Sequence, residues 1–519
     1  MKKFLAILLC VVLLATCFVA CNKEEEPAET DAPAETTKAP ETTKAPTNDD
    51  ANDDANDDAN DDANDDIGEG EGEGEEEEKD PTILSDWGEG TAEDPYLLTQ
   101  ENFADYYENF NYDYYNAYVK MTEDIVVNEG NNADWAAGNN LPAEVTAENP
   151  AFGLWRGPIG GTEMVLSGGF DGDGHTLSGV CFIGSDGTGE VTGRHRRVAL
   201  FAGMGNGAYI KNLKLVNSYF KADSDMGYSE LGGLVGRFGV AGAADANNLI
   251  DNCYVDAILV SDRGNTSQTG AGGIAGATYG AGTISNCVVK GQITSIDVTG
   301  GIVGNAKEDG AVLVKNCVNY ADITTPSDFK STGGIVGHLG AEGGIALTIE
   351  NCVNAGDIIG NGTTGGRQPG GIFGHTNTDG VIIKNCLNVG NISNSDAAQK
   401  AAGIVGNHNG KTITIEKCLN LGNADDGDIL TAAKADTTTI TDYIFVPGYS
   451  DNMLDPTNAK TAVEGTWDII TLEKAALSNA ATFAAGGALE GWVAGTADNV
   501  PTPCAVPTAI TWASITANA

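Results

Sequence analysis

Residues 333–358 hold the pattern that decides the fold. They open with Gly333-Gly334-Ile335-Val336-Gly337, continue to Ile349-Glu350-Asn351-Cys352-Val353-Asn354, and end at Ile358. The apolar stretches are short and β-branched, and Gly and Asn separate them, so each predicts a strand and none is long enough for a helix.

The same pattern recurs along the chain. Its cysteines are Cys253, Cys287, Cys317, Cys352, Cys386 and Cys418, which follow one another at intervals of 34, 30, 35, 34 and 32 residues. A fixed period of this length indicates a solenoid, a propeller or an array. Three short strands per repeat disfavour helical repeats such as ankyrin, and four-stranded blades carry a Trp-Asp signature that these repeats lack. We therefore predict an all-β fold, a right-handed parallel β-helix with one repeat of about 33 residues per coil.

The spacing around the cysteine predicts a corner. An apolar residue stands three positions before each Cys and another six after it, for example Ile349 and Ile358 around Cys352. If side chains alternated strictly between the two faces of one continuous strand, one of these apolar residues or the Cys would point outward. A bend at the intervening Asn resolves this, because Asn tolerates the left-handed conformation. The predicted corner residues, whose side chains would stack as an amide ladder, are Asn252, Asn286, Asn316, Asn351 and Asn385.

The cysteines leave three interpretations open. As the same position in every coil, they would form a column of six thiols inside the core, each behaving as a small hydrophobic residue. Regular cysteines in a secreted protein also suggest disulfides, here between neighbouring coils. A metal site is disfavoured because a single row is not a tetrahedral cage and no His accompanies it. We expect no metal and no cofactor.

The N-terminus predicts export and lipid anchoring. Lys2 and Lys3 precede an apolar stretch that ends in Phe18-Val19-Ala20-Cys21, so residues 1–20 read as a lipoprotein signal peptide. The sequence before Cys21 resembles the lipobox of bacterial lipoproteins, which implies acylation of Cys21. Cys17 is the rival site, and a plain signal peptide with an incidental Cys is the other alternative.

Residues 21–80 predict a disordered tether. Residues 22–80 contain 25 acidic and 4 basic residues, a net charge of −21, with low-complexity repeats and no hydrophobic periodicity. The chain carries −46 in all and Lys2 and Lys3 contribute +2, so residues 81–519 hold −46 + 21 − 2 = −27. This charge argues against nucleic acid as a partner.

The repeats resemble those of GLUG-motif proteins of bacterial surfaces. The similarity includes Gly88-Glu89-Gly90-Thr91-Ala92-Glu93-Asp94-Pro95-Tyr96-Leu97-Leu98, the strand beginning at Tyr118, the Asp171–Leu177 turn, and the closing segment Trp492–Val506. It implies an N-terminal cap and first coils over 81–198, repeats over 199–435, and a C-terminal cap region over 436–519. We predict a cap helix with Thr99 as N-cap and Phe103, Tyr106, Tyr107 and Phe110 on one face. Lys417 and Ala402 depart from the pattern, so the seventh coil is expected to be distorted or close to the cap.

Three stretches carry candidate chemistry. Asp171-Gly172-Asp173-Gly174-His175 suggests a calcium loop, an Asp–His pair or simply a tight turn. Arg194-His195-Arg196-Arg197 suggests an exposed basic loop, and the tyrosines from Tyr106 to Tyr118 suggest either cap packing or a sugar-stacking surface.

Function is predicted in two versions. The first is a non-enzymatic protein, anchored by lipid to the extracellular face of the bacterial cell membrane, monomeric, and presenting its β-helix to a glycan or another surface ligand. The alternative is a β-helix polysaccharide lyase or glycoside hydrolase, for which Asp322 and Asp357 in successive coils are the candidate carboxylates.

Overall fold

A computed structural model describes residues 87–110, 114–142, 165–184, 197–222, 229–240, 247–262, 270–296, 298–307, 310–326, 331–340, 346–360, 369–395, 401–424, 438–447 and 467–517. These belong to the compact unit Glu78–Ala519. The signal peptide, Cys21 and the acidic segment up to residue 80 lie outside the described residues.

The described chain is a parallel β-helix, as predicted. Almost every strand pairs in parallel with its equivalent in the preceding and following coil, within sheets of 25, 5 and 7 strands. The largest sheet bends at the Asn corner and so supplies two faces of each coil.

The strands before the corner form the first face. They are Tyr96–Leu98, Tyr118–Met121, Gly169–Asp171, Tyr209–Lys211, Asn248–Asp251, Gly282–Ser285, Val312–Lys315, Leu347–Glu350, Val381–Lys384, Ile413–Glu416, Thr438–Phe445 and Trp467–Thr471. One inward side chain from each coil, such as Ile284, Val314 and Ile349, lies in a continuous buried core.

The strands after the corner form the second face. They are Ile125–Val126, Thr176–Ser178, Cys181–Gly184, Lys214–Ala222, Tyr254–Ser261, Val288–Ser295, Val318–Asn319, Asp322–Thr325, Val353–Asn354, Ile358–Gly360, Leu387–Asn388, Ile392–Asn394 and Leu419–Asn420.

The Gly-Gly-Ile-Val-Gly segments supply the two smaller sheets. The five-stranded sheet holds Arg197–Val198, Glu230–Gly232, Gly270–Gly272, Val298–Gly300 and Thr332–Gly333. The seven-stranded sheet holds Phe201–Gly203, Val235–Phe238, Ala275–Thr278, Val303–Ala306, Val336–Leu339, Phe373–Thr376 and Val405–Asn407.

A short helix covers the first coils. It spans Phe103–Asn109 and buries Phe103, Tyr106 and the following Phe110 against the core. The predicted cap helix is therefore confirmed, but its N-cap is Asn102 rather than Thr99. The Thr99 hydroxyl instead accepts a hydrogen bond from the Asn102 backbone N–H at 3.3 Å, and Asn102 Oδ1 accepts one from the Thr99 N–H at 2.7 Å.

The stack continues past the boundary expected at residue 435. Strand Thr438–Phe445 pairs with the coil that contains Cys418, and Trp467–Thr471 pairs with Thr438–Phe445 in turn. Asp442 and Tyr443 of this strand occupy the places that Asn and Cys hold in earlier coils. This coil was not predicted from the sequence, because Asp442 and Tyr443 replace the Asn and Cys by which the other coils are recognised.

The C-terminal segment lies against the side of the solenoid. The sequence had instead predicted a cap over its end. The segment contains the 3₁₀ helix Lys474–Ser478 and the helices Ala480–Phe483 and Trp512–Ala517. Outward residues of the second face, such as Leu387, Leu419 and Ile444, form one hydrophobic cluster with Leu477, Trp492 and other residues of this segment. The Tyr320 hydroxyl donates a hydrogen bond to the Thr508 carbonyl at 2.7 Å and adds a polar contact.

The remaining helix, Asn132–Ala136, packs outside the first coils. The Asn131 side chain caps it, and its Trp135 is buried against Cys181 and Tyr219. No described helix has both the length and the apolar character that a membrane crossing requires.

Candidate binding face

The corner residues adopt the left-handed conformation. Asn252, Asn286, Asn316, Asn351 and Asn385 have φ between 50° and 55°. Lys417 takes the same place with φ 47°, so the seventh coil keeps its corner despite the change of residue. Ala402 is also accommodated, bridging to Gly370 of the coil before it.

The corner amides form a ladder from Asn212 to Asn351, with one change of partner at Asn286. Asn252 Nδ2 donates to Asn212 Oδ1 at 2.8 Å, and Asn316 and Asn351 each donate to the Asn of the preceding coil at 3.0 and 3.1 Å. Asn286 instead donates to Asp251 Oδ1 at 2.7 Å. From Asn252 to Asn351 the corner side chains therefore hydrogen-bond to neighbouring coils, which is a structural role.

The six cysteines form one buried column. They are Cys253, Cys287, Cys317, Cys352, Cys386 and Cys418, and all six are free thiols. Each thiol lies 3.1–3.3 Å from the carbonyl oxygen two residues earlier, to which it donates. The register of the flanking strands places Leu213 above the column and Tyr443 below it. Burial raises the pKa of the Cys253, Cys352 and Cys386 thiols well above the ordinary value, so these groups remain protonated and unreactive.

A second ladder of buried amides was not predicted. Asn319, Asn354, Asn388 and Asn420 stand two residues after successive cysteines, and each of the first three donates to the next at 2.7–2.8 Å. Each also donates to a carbonyl two residues ahead, which bends the strand there. Where Val255 or Val289 takes this position the strand runs on without interruption. The final Asn of the Asn-Cys-x-Asn pattern is therefore the sequence feature from which this second ladder could have been predicted.

Asp322 and Asp357 are engaged in the scaffold. Asp322 Oδ1 accepts the Asp357 backbone N–H at 3.1 Å, and Asp357 Oδ1 accepts the Asn391 N–H at 2.8 Å. Asn391 accepts the Asn423 N–H at 3.3 Å in the same way. The pair therefore belongs to a column of Asx side chains that caps backbone groups of the next coil.

The Asp171–His175 stretch is a tight turn with paired charges. Asp173 and Gly174 have φ 49° and 84°. Lys211 binds Asp171 at 3.2 Å and Lys120 binds Asp173 at 3.0 Å, so the two carboxylates face separate ammonium groups. This arrangement does not match a calcium loop, in which the acids converge.

His175 does meet an acid, but from outside the motif. Its Nδ1 lies 3.4 Å from Asp124 Oδ1 at an exposed corner. The Thr176 backbone N–H, and then His175, hold the pKa of Asp124 below its ordinary value. Asp124 thus serves mainly to accept a backbone hydrogen bond.

The described residues of the basic and aromatic stretches are largely internal. Arg197 is buried and its Nε donates to Glu230 at 3.1 Å, so it is not part of an exposed loop; residues 194–196 lie outside the described residues. Tyr106 of the cap helix and Tyr114 just after it are buried, which favours cap packing over sugar stacking. Tyr118 points outward, with its ring 5.8 Å from that of Tyr209.

The outward side of the first face is the candidate site, and we call it the open face. From Tyr118–Met121 to Thr438–Phe445, each strand of this face contributes two outward positions, in two columns that follow the solenoid axis. The first column contains Tyr118, Gly169, Tyr209, Leu249, Thr283, Leu313, Thr348, Ile382, Thr414 and Thr439. The Tyr209 ring lies so close over Gly169 that any side chain at 169 would meet it. From Leu249 to Thr414 the column alternates between a branched apolar residue and Thr.

The second column of the open face alternates in charge. It contains Lys120, Asp171, Lys211, Asp251, Ser285, Lys315, Glu350, Lys384, Glu416 and Thr441. Lys211 pairs with Asp171 and Lys384 with Glu350, both at 3.2 Å. Asp251 accepts hydrogen bonds from the Ser285 hydroxyl and the Asn286 amide. Opposite charges on neighbouring coils therefore compensate one another locally.

The open face stays uncovered in the described structure. The C-terminal segment contacts the second face, and Ile382 on the open face is 38% exposed. A flat, regular and partly exposed surface that mixes apolar, hydroxyl and charged groups suits binding better than bond cleavage. Among the described residues, no group of three or more His, Cys, Asp or Glu side chains is placed to hold a metal ion.

Comparison with known proteins gives a similar solved structure but no matching family. No protein-family model matches the chain, so the resemblance to GLUG-motif proteins stays a prediction, and no curated protein matches it either. The solved structure of a putative immunoglobulin A1 protease from Bacteroides ovatus is 18% identical over 58% of this chain and 77% of that chain, with a TM-score of 0.41.

Proposed function

We propose that this chain is a lipid-anchored protein of the extracellular bacterial surface that binds a glycan or another cell-surface ligand without transforming it. The open face carries the proposal, because it is regular, partly exposed and locally neutral. By contrast, the acids that suggested catalysis, Asp171, Asp322 and Asp357, are engaged in hydrogen bonds or ion pairs of the scaffold.

The N-terminal sequence supports the surface location. An apolar segment, Val19-Ala20 and Cys21 provide a site for acylation, and the acidic residues that follow provide a spacer. Metabolic labelling with a fatty acid tests this. Cys21→Ala should abolish label incorporation, whereas Cys17→Ala, the matched control, should retain it. Equal labelling of wild type and Cys21→Ala would contradict the anchor at Cys21.

Ligand binding is tested with the lipid-free chain from residue 22 onward. Incubation with arrays of glycans and of host-matrix proteins should give saturable binding to at least one surface polymer. Chemically intact ligand should be recovered afterwards. Absence of binding across both arrays would contradict the proposed function.

The alternative is a polysaccharide-degrading enzyme. Asp322 and Asp357 support it in one respect, since they occupy successive coils and a hydrolase needs two neighbouring carboxyl groups. Release of products from pectins, alginates or mucin glycans would establish this activity, and its loss in Asp322→Asn would place it there. We expect no product release, because both acids already accept backbone hydrogen bonds.

A further inference from the structure

The open face repeats every two coils. In the coils from Leu249 to Thr414, a branched apolar residue alternates with Thr: Leu249, Thr283, Leu313, Thr348, Ile382, Thr414. The neighbouring column changes sign in step over the last four of these coils, as Lys315, Glu350, Lys384 and Glu416. The surface thus has a chemical period of two coils along the axis.

This period sets the dimensions of a matching ligand. Neighbouring strands are about 4.8 Å apart, so two coils span about 9.6 Å. A polypeptide strand repeats its side-chain pattern every two residues, roughly 6.6 Å, and would lose register within a few coils. An extended polymer with about one unit per coil, turned over at each step, keeps approximate register over several coils.

We propose that the open face binds a neutral β-1,4-linked glycan that runs along the solenoid axis with one sugar ring per coil. This inference rests on the proposed function and names its ligand class. In such a glycan the hexopyranose rings form an extended chain and successive rings are turned over, which gives a two-ring period. Apolar ring faces would lie on Leu249, Leu313 and Ile382, and hydroxyl groups would meet the threonines and the charged column.

Charge selects a neutral polymer. Lys384 is 3.2 Å from Glu350, and alternating signs leave the column without a net charge along its length. A polyanion would meet a carboxylate at every second coil. It would also approach a chain whose net charge is −46, which opposes association at long range. The hydroxyl groups of a neutral glycan can accept hydrogen bonds from the lysines and donate them to the carboxylates, without electrostatic repulsion.

Chain length provides the sharpest test. The probes are soluble β-1,4-linked oligosaccharides of glucose and of N-acetylglucosamine with two, four and six rings, titrated calorimetrically into the lipid-free chain. Affinity should rise by about tenfold or more at each step, because each added pair of rings engages another two coils. The α-1,4-linked glucose hexasaccharide, which curves, should bind at least tenfold more weakly than its β-linked counterpart. Equal affinity for the two linkages, or no gain from two to six rings, would overturn the inference.

Two variants locate the site. Leu313→Asn combined with Ile382→Asn should weaken six-ring binding by about tenfold or more. Ile359→Asn is the matched control, since Ile359 is 44% exposed and lies on the second face, and it should bind as wild type does. Circular dichroism should be unchanged in both. Unaltered affinity in the double variant would contradict the assignment of the site.

The outcomes separate the inference from the proposed function. If the chain binds another glycan or a matrix protein on the arrays but none of the β-1,4-linked probes, the inference fails and the proposed function stands. If it binds nothing on the arrays and none of the probes, both fail.

Discussion

The corner position shows how a single backbone conformation organises the coil. Seven coils place Asn or Lys there and an eighth places Asp442, all with φ between 47° and 55°. Most L-residues pay roughly 1–2 kcal/mol for this conformation, and Asn pays less. The Asn therefore turns the chain and also presents its amide to the neighbouring coil.

Lys417 is the corner where this cost should be measurable. Lys417→Asn should raise the free energy of unfolding by about 0.5–1 kcal/mol, because Asn tolerates the left-handed conformation better. Urea unfolding monitored by circular dichroism measures the change. Lys417→Ala controls for loss of the charge and should give no gain. A destabilised Asn variant would argue against the corner geometry.

Asp379 predicts an acid-sensitive contribution to stability. The Thr412 backbone N–H donates to its carboxylate at 2.6 Å and holds the pKa of Asp379 below its ordinary value. A lowered pKa in the folded state means that the contribution is complete above the ordinary pKa and is lost as the pH falls through the lowered one. Asp379→Asn keeps an acceptor that does not titrate.

As the pH falls from about 5, the Asp379→Asn variant should therefore lose less unfolding free energy than wild type does. Urea midpoints measured at intervals over that range would show this as a shallower acid limb. Parallel limbs for the two proteins would contradict the role given to the Thr412 hydrogen bond.

At the scale of the element, the two halves of the repeat are complementary. The second glycine of Gly-Gly-Ile-Val-Gly lies against the buried Asn of the second amide ladder, and a Cβ at Gly334 would fall 2.3 Å from Cγ of Asn354. The glycine is thus required for close approach, and the Asn fills the space that it leaves.

Gly334→Ala should consequently lower the free energy of unfolding by about 1–3 kcal/mol through overpacking. A double-mutant cycle with Asn354→Ser tests the contact, since the smaller side chain should recover part of the Gly334→Ala loss. Additive effects of the two substitutions would show that the residues do not contact each other.

Much of this element was predictable from sequence. Repeat spacing and the change of parity around Cys352 predicted the strands, the corner and the inward column. The second amide ladder was missed because Asn354 looks like a polar turn residue until its partners in adjacent coils are known. The eighth coil was missed because Asp442 and Tyr443 replace both signature residues.

At the scale of the whole molecule, the outward surfaces of the coils differ in what covers them. The second face is apolar at Leu387, Leu419 and Ile444, where the C-terminal segment packs, whereas the open face is mixed in chemistry and no segment of the described chain covers it. Sequence alone did not separate these faces, because both present apolar residues at regular spacing. The position of the C-terminal segment shows which of the two faces is buried.

A matched pair of substitutions tests this difference. Leu387 is fully buried beneath the C-terminal segment, so Leu387→Asn should cost about 2–4 kcal/mol of unfolding free energy. Ile382→Asn, on the open face, should stay within about 0.5 kcal/mol of wild type. Urea unfolding measures both, and similar losses for the two variants would show that the open face is covered as well.

Thiol protection tests most directly whether the coils from Tyr118 to Phe445 form one continuous stack. The folded lipid-free chain is treated with a small maleimide and its labelled cysteines are mapped by mass spectrometry, with Thr414→Cys on the open face as the reactive control. The stack predicts that Cys253, Cys287, Cys317, Cys352, Cys386 and Cys418 stay protected together and react only when the chain unfolds. Rapid labelling of any of the six in the folded chain, or disulfides between them, would contradict the account.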